Sequence, residues 1–251
     1  MRSFSQITDD NFNTAALVLF GRQYVENKVY GEFCDLLGRT PETVSSILDI
    51  PFLPVEVFKS HVVKSGDWQE EEIYTSSTTS GGVPSQHFVH SLAYYKQVYE
   101  AGLERVYGSL EEYAVLALLP SYLERTGSSL VAMAEGMIQK SDSAESGFYL
   151  HNHDDLFKAL ERLKQSRTPV MLLGVTFGLL DFAESIAQGK YGSNSFHYNK
   201  LRVIETGGMK GKRKELIRPE VHRLLKESFP ESPIDSEYGM TELLSQAYLI
   251  D

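Results

Sequence analysis

Val170-Met171-Leu172-Leu173-Gly174-Val175-Thr176 is an apolar run with no polar residue alternating through it. An amphipathic strand would show one polar face, so this pattern predicts a strand buried on both sides. Tyr113 to Leu119, ended by Pro120, has the same grammar, and Leu201 to Thr206 reads as a further strand. Helical periodicity lies between and around them. Leu156, Leu160 and Leu163 align over Asp154–Lys164, and helices are expected near Leu179–Ala187, Ser128–Gln139 and Lys212–Ser228, the last with Ile217, Val221, Leu224 and Leu225 inward. Ser91–Tyr107 gathers Leu92, Tyr95, Tyr99, Leu103 and Val106 on one helical face. Buried strands separated by helices predict an α/β fold: a mixed, largely parallel sheet covered by helices on both faces. Ligands in such sheets bind beyond the carboxyl ends of the strands.

Upstream of about residue 71 the chain reads as helical. Thr8 and Asp9 are placed to cap a helix running to about Leu37, with Leu17, Phe20, Tyr24, Val29, Phe33 and Leu36 as its apolar stripe and Gly38 as its stop. Thr40-Pro41 suits the start of a second, short helix, and Pro51 and Pro54 force an extended segment. The expected division is a helical N-terminal segment, 1–70, and an α/β domain, 71–251. The final residues, Tyr238 to Asp251, run out in an apolar stretch with no cap, so the α/β domain is expected to be truncated at its C-terminal end.

The 251 residues carry 42% hydrophobic and 23% charged side chains, with 14 Tyr and 13 Phe, which fits a globular chain and not a disordered one. A net charge of −10 speaks against nucleic acid as a partner. No apolar run approaches the roughly 20 residues of a membrane span, and the N-terminus has no apolar signal core, so a cytoplasmic location is expected. The single cysteine, Cys34, can form neither an internal disulfide nor a cysteine-rich zinc site. His151 and His153 precede Asp154-Asp155, but acidic residues at a helix start explain that cluster better than a metal.

The chemistry concentrates in two stretches. In Tyr74-Thr75-Ser76-Ser77-Thr78-Thr79-Ser80-Gly81-Gly82-Val83-Pro84-Ser85, a hydroxyl run leads from a strand at Glu72–Ser76 into paired glycines. Hydroxyls and backbone N–H groups donate to phosphate oxygens, and glycine lets the backbone approach. There is no Walker lysine, and composition alone fits a polar surface loop better than a phosphate site. The second stretch is Tyr238-Gly239-Met240-Thr241-Glu242, which by itself also fits a strand-to-helix turn with Thr241 as the cap.

Together these stretches resemble the signature loops of adenylate-forming enzymes. Thr79, Ser80 and Gly81 match the Thr-Thr-Gly of the Thr-Ser-Gly-Thr-Thr-Gly-x-Pro-Lys phosphate loop, and Pro84 matches its proline. Thr78 stands in place of the first glycine and Ser85 in place of the lysine. LuxE-type acyl-protein synthetases are similar in lacking that lysine and in continuing with a Ser-x-His, here Ser85-Gln86-His87. The downstream stretch matches Tyr-Gly-x-Thr-Glu without departure. Glu205-Thr206-Gly207-Gly208-Met209-Lys210 resembles the turn that lines the adenine and acyl pockets of these enzymes. Pro51–Lys59 and Leu119–Val131 also look like LuxE sequence.

The resemblance implies a ligase that activates a long-chain fatty acid with ATP and Mg2+ as an acyl-adenylate, then passes the acyl group to a protein thiol. A fatty acid substrate and an acyl-acceptor or reductase protein are the implied partners. Ser76, Ser77, Thr78, Thr79, Ser80, Gly81, Gly82, Gly207, Gly208, Tyr238, Gly239 and Thr241 are implied to bind the nucleotide. Tyr238 would pack on adenine, Thr241 would hold the α-phosphate and Glu242 would ligate the metal, with Thr79, Ser80, Thr241 and Glu242 carrying the catalysis. The family's acceptor cysteine, ribose-binding aspartate and catalytic lysine are implied to lie beyond Asp251. The rival readings are an acyl- or aryl-CoA ligase resembling phenylacetate–CoA ligase, and a catalytically silent interaction module.

Overall fold

The computed structural model describes residues 7–76, 82–120, 126–207 and 213–251. Its centre is a six-stranded sheet. In chain order, after a hairpin of β1 (Glu72–Thr75) and β2 (Gln86–Val89), the sheet strands are β3 (Ala114–Leu118), β4 (Gly147–Phe148), β5 (Val170–Val175), β6 (Leu201–Thr206), β7 (Ile234–Tyr238) and β8 (Ala247–Leu249). They lie in the order β4-β3-β5-β6-β7-β8, with every pair parallel except β7–β8. The fold is therefore the expected helix-covered, mixed and mostly parallel α/β arrangement.

The unalternated strands serve both faces. Ala114, Leu116 and Leu118 of β3 face one core with Val170 and Leu172 of β5, under α6 (His153–Ser166), α7 (Thr176–Ala187) and α8 (Arg218–Ser228). Val115, Ala117, Met171 and Leu173 face a second core, under α4 (Leu92–Tyr107), α5 (Ser129–Lys140) and the hairpin residues Tyr74 and Val89. Gly174 sits where β5 meets both β3 and α7: a Cβ there would come within 2.8 Å of Leu118 and Leu179. Those atoms belong to fully packed neighbours. Gly174→Ala is expected to cost about 1–3 kcal/mol by overpacking, read as a fall in Tm of roughly 2–10 °C. An unchanged melting curve would show that α7 can move off the sheet freely.

Several elements depart from expectation. The long N-terminal helix is two, α1 (Asp9–Glu26) and α2 (Lys28–Leu36), because Asn27 leaves helical geometry. Its side chain accepts from the Tyr30 N–H at 3.1 Å, so it caps α2 while closing α1. The break rotates the stripe: Phe20, Tyr30, Cys34 and Val44 form a small separate core, while Leu36 points to solvent. Gly38 does end α2, at a positive φ of 64°. Thr40-Pro41 opens only a turn, held by Val44 N–H to the Thr40 carbonyl at 2.9 Å. The Pro51–Pro54 segment is extended as expected, followed by the short α3 (Val57–Ser60). Helix α8 starts only at Arg218, with Pro219 in its first turn; Ile217 precedes it and is exposed, not inward. Strands β2, β4 and β7 lack long apolar runs, and β8 lies in the apolar end of the chain, which the sequence did not mark as a strand.

Candidate active site

A polar cavity opens beyond the carboxyl ends of β6 and β7. Thr206, Gly207, Glu237, Gly239 and Thr241 line one side; Thr75, Ser128 and Ser129 line the other. The hydroxyl loop is thus anchored at the site by its stems. Thr75 N–H donates to the Gly127 carbonyl at 2.8 Å, which sets the end of β1 against the turn that starts α5. Ser76 and Ser85 close the loop's base: Ser76 N–H donates to the Ser85 carbonyl at 3.1 Å, and Ser85 N–H to Ser76 Oγ at 2.9 Å. Ser85 is buried at 2% exposure, so a lysine there would have to bury its charge. His87 reaches across from β2, its Nδ1 2.7 Å from the Thr241 carbonyl, so Nδ1 carries the proton. Burial holds His87 below the ordinary histidine value, while the Thr241 carbonyl and then the Glu242 charge pull it back up.

The predicted residues divide in four. Gly207, Gly239 and Thr241 line this cavity, and Ser76 follows the lining residue Thr75 at the base of the loop. Tyr238 and Glu242 flank it: the Tyr238 ring is exposed, its hydroxyl donating to Met240 Sδ at 3.1 Å, and Glu242 lines an adjoining apolar cavity. Gly82 lies in the loop's return, where an added Cβ would come within 4 Å of no atom of the described residues. Ser77, Thr78, Thr79, Ser80, Gly81 and Gly208 lie outside the described residues.

Two glycines have a geometric reason. Gly207 ends β6 at a φ of 74°, a conformation that side-chain-bearing residues avoid. At Gly239 a Cβ would lie 2.6 Å from the Glu237 carboxylate, which curls beneath it. Glu237 itself was not singled out by the sequence; only its place immediately before Tyr238 could have flagged it. It accepts from the Thr206 hydroxyl, and burial pushes its pKa upward, opposed by that hydrogen bond and reinforced by the Glu205 charge. Glu205 points to the opposite sheet face, accepting from Thr176 Oγ1 at 2.9 Å and Ser236 Oγ at 2.6 Å.

A raised carboxyl holds its proton in the folded chain at pH values where the unfolded chain has lost it. Its contribution to stability is therefore present below about pH 4.3 and lost as pH rises through the folded value. Glu237→Gln removes that loss. The Tm advantage of the variant over the parent is expected to grow as pH rises from about 4.3 towards neutrality. A difference that stays flat with pH in paired melting scans would show that Glu237 ionises freely.

Hydroxyls at Thr75, Ser128, Ser129 and Thr241, together with the first amides of α5, give the cavity neutral donors suited to phosphate oxygens. Among the described residues, no group of three or more His, Cys, Asp or Glu could cage a metal. Magnesium does not need one, since it is commonly held by one or two carboxylates plus substrate phosphates, and Glu242 can supply such a ligand.

A family model described as acyl-protein synthetase, LuxE, matches residues 4–248. No curated protein matches the chain.

Proposed function

Because the chain belongs to the LuxE acyl-protein synthetase family, we propose that it activates a fatty acid with ATP, as an acyl-adenylate, and delivers the acyl group to a protein thiol. Family membership makes it a ligase of the acyl-protein synthetase kind. The adenylate step is supported by one observation above all: the Thr75 stem of the hydroxyl loop, the start of α5, the Gly207 turn and the Gly239–Thr241 turn surround a single cavity at the strand ends.

In this reading a carboxylate oxygen of the acid attacks the α-phosphorus of ATP. The bond from that phosphorus to the bridging oxygen breaks, and pyrophosphate leaves. A thiolate then attacks the acyl carbonyl and AMP departs. Little covalent work falls to the chain's own groups. Thr241 and the α5 amides hold phosphate oxygens, Gly207 and Gly239 allow close approach, and Tyr238 offers a flat ring to the base. A bound magnesium ion would neutralise phosphate charge from Glu242. The acceptor thiol is not Cys34 in this fold, because that side chain is fully buried in the N-terminal core. That core, separate from the two on the sheet, also supports dividing the chain into residues 1–70 and 71–251. No described helix is long and apolar enough to cross a membrane.

Carboxylate-dependent exchange of radiolabelled pyrophosphate into ATP tests the proposal, with a panel of acids. Exchange that depends on a long-chain acid supports it. Nucleotide binding with no exchange for any acid would overturn it.

A further inference from the structure

A second cavity, of about 690 Å³, lies between the N-terminal helices and the turn after β7. Phe12, Ala16, Leu19 and Gln23 form one stripe of α1 along it, and Leu48, Phe52 and Phe58 form the facing wall. Eleven residues of helix between Phe12 and Gln23 rise about 17 Å, so the cavity is long as well as apolar. Its polar wall atoms are largely spent internally. Asn27 accepts from the Tyr30 N–H at 3.1 Å, and the Tyr30 hydroxyl donates to the Pro51 carbonyl at 2.7 Å. Leu48 and Phe52 are 91% and 86% exposed, an apolar surface that folding leaves unused.

Met240, Glu242 and Leu243 close one end, and Met240 also lines the polar cavity. The two cavities therefore share a wall at Met240. A protein docked on the apolar surface would have no need of that continuity; an elongated molecule with an apolar tail and a reactive head would.

We propose that this cavity holds the hydrocarbon chain of the acid substrate, with its carboxylate at the Met240–Thr241 end. The inference rests on the acyl-activating reading above and adds the place of the chain, in the helical N-terminal segment. The volume falls within the range of small-molecule sites. Recognition there is by apolar burial, so affinity follows chain length. The carboxylate emerges beside Glu242, where two anions meet and a cation must lie between them.

The test uses the 251-residue chain and unbranched acids from octanoate to tetradecanoate, with binding measured by displacement of a fluorescent fatty acid. Each added methylene is expected to tighten binding by up to about fourfold. The Leu48→Glu/Phe52→Glu double variant, altered only at exposed positions, is expected to keep its melting curve, to bind tetradecanoate at least about tenfold more weakly and to lose the dependence on length. Tetradecanoic acid carrying a terminal diazirine is expected to label peptides spanning 12–23 or 47–58. Labelling confined to 128–137, or tetradecanoate binding unchanged in the double variant, overturns the proposal. Acids that bind and label here without supporting pyrophosphate exchange would sink the adenylation reading and leave the chain site standing. Exchange with an unaltered KM for long acids in the double variant would do the reverse.

Discussion

Arg202→Met is expected to cost about 3–5 kcal/mol of stability, the largest loss of any single substitution considered. Asp235 on β7 is completely buried, and its carboxylate accepts from Arg202 Nη1 at 2.5 Å and from the Asp251 N–H at 3.0 Å. The Arg202 guanidinium lies 5.6 Å from the Tyr107 ring centroid, which holds its orientation. Removing the arginine leaves a buried negative charge with a single backbone donor. Removing both partners is different, since a buried pair repays little more than its own desolvation. Arg202→Met/Asp235→Leu is therefore expected to recover most of the loss. Urea unfolding of the single and double variants measures both. A single-variant loss below about 1 kcal/mol would show that Asp235 is solvated by another route. The consequence reaches function, because β7 carries Glu237 and the Gly239–Thr241 turn into the polar cavity.

Glu242→Gln is expected to lower carboxylate-dependent pyrophosphate exchange by about 10²–10³-fold, the size of losing one charge-stabilising group, with stability changed by no more than about 0.5 kcal/mol. Glu242 lies where the two cavities adjoin, half-buried, at the Met240–Leu243 turn. An acid substrate and a polyphosphate would both bring negative charge there. A carboxylate in that position opposes binding unless a divalent cation joins the three, and that cation is what the side chain would hold. Glutamine keeps the shape and a neutral oxygen but loses the charge. The variant should therefore also need more magnesium for half-maximal exchange. Exchange unchanged at limiting magnesium would remove Glu242 from the metal-ligand role.

The central strands were legible in the sequence for a simple reason. Ala114–Leu118 and Val170–Val175 are apolar through both faces, and only a covered sheet can accept that. The helices over them followed from their stripes. Strand β7 was hidden by the opposite circumstance. Ile234-Asp235-Ser236-Glu237-Tyr238 is mostly polar, yet Asp235, Ser236 and Glu237 are 0%, 3% and 7% exposed. Their partners, Arg202, Glu205, His222 and Thr206, come from other elements, so no local pattern could announce their burial. The split at Asn27 was missed because the apolar spacing runs across it, and only the capping hydrogen bond reveals the change of direction.

By itself the sequence determined the class of fold, the places where chemistry could occur and the family likeness, because each depends on residues close together in the chain. Only the tertiary structure decided how those places combine. It set Thr75 beside Gly239 and Thr241, joined the hairpin to them through His87 and placed the start of α5 at the same cavity. It also turned Thr241 and Glu242, adjacent in sequence, towards two different cavities, and brought the N-terminal helices against the turn after β7. Those outcomes rest on strand order and on hydrogen bonds between residues more than a hundred positions apart, as from His87 to Thr241. Such contacts form only when the whole sheet has assembled, and no periodicity within a segment encodes them.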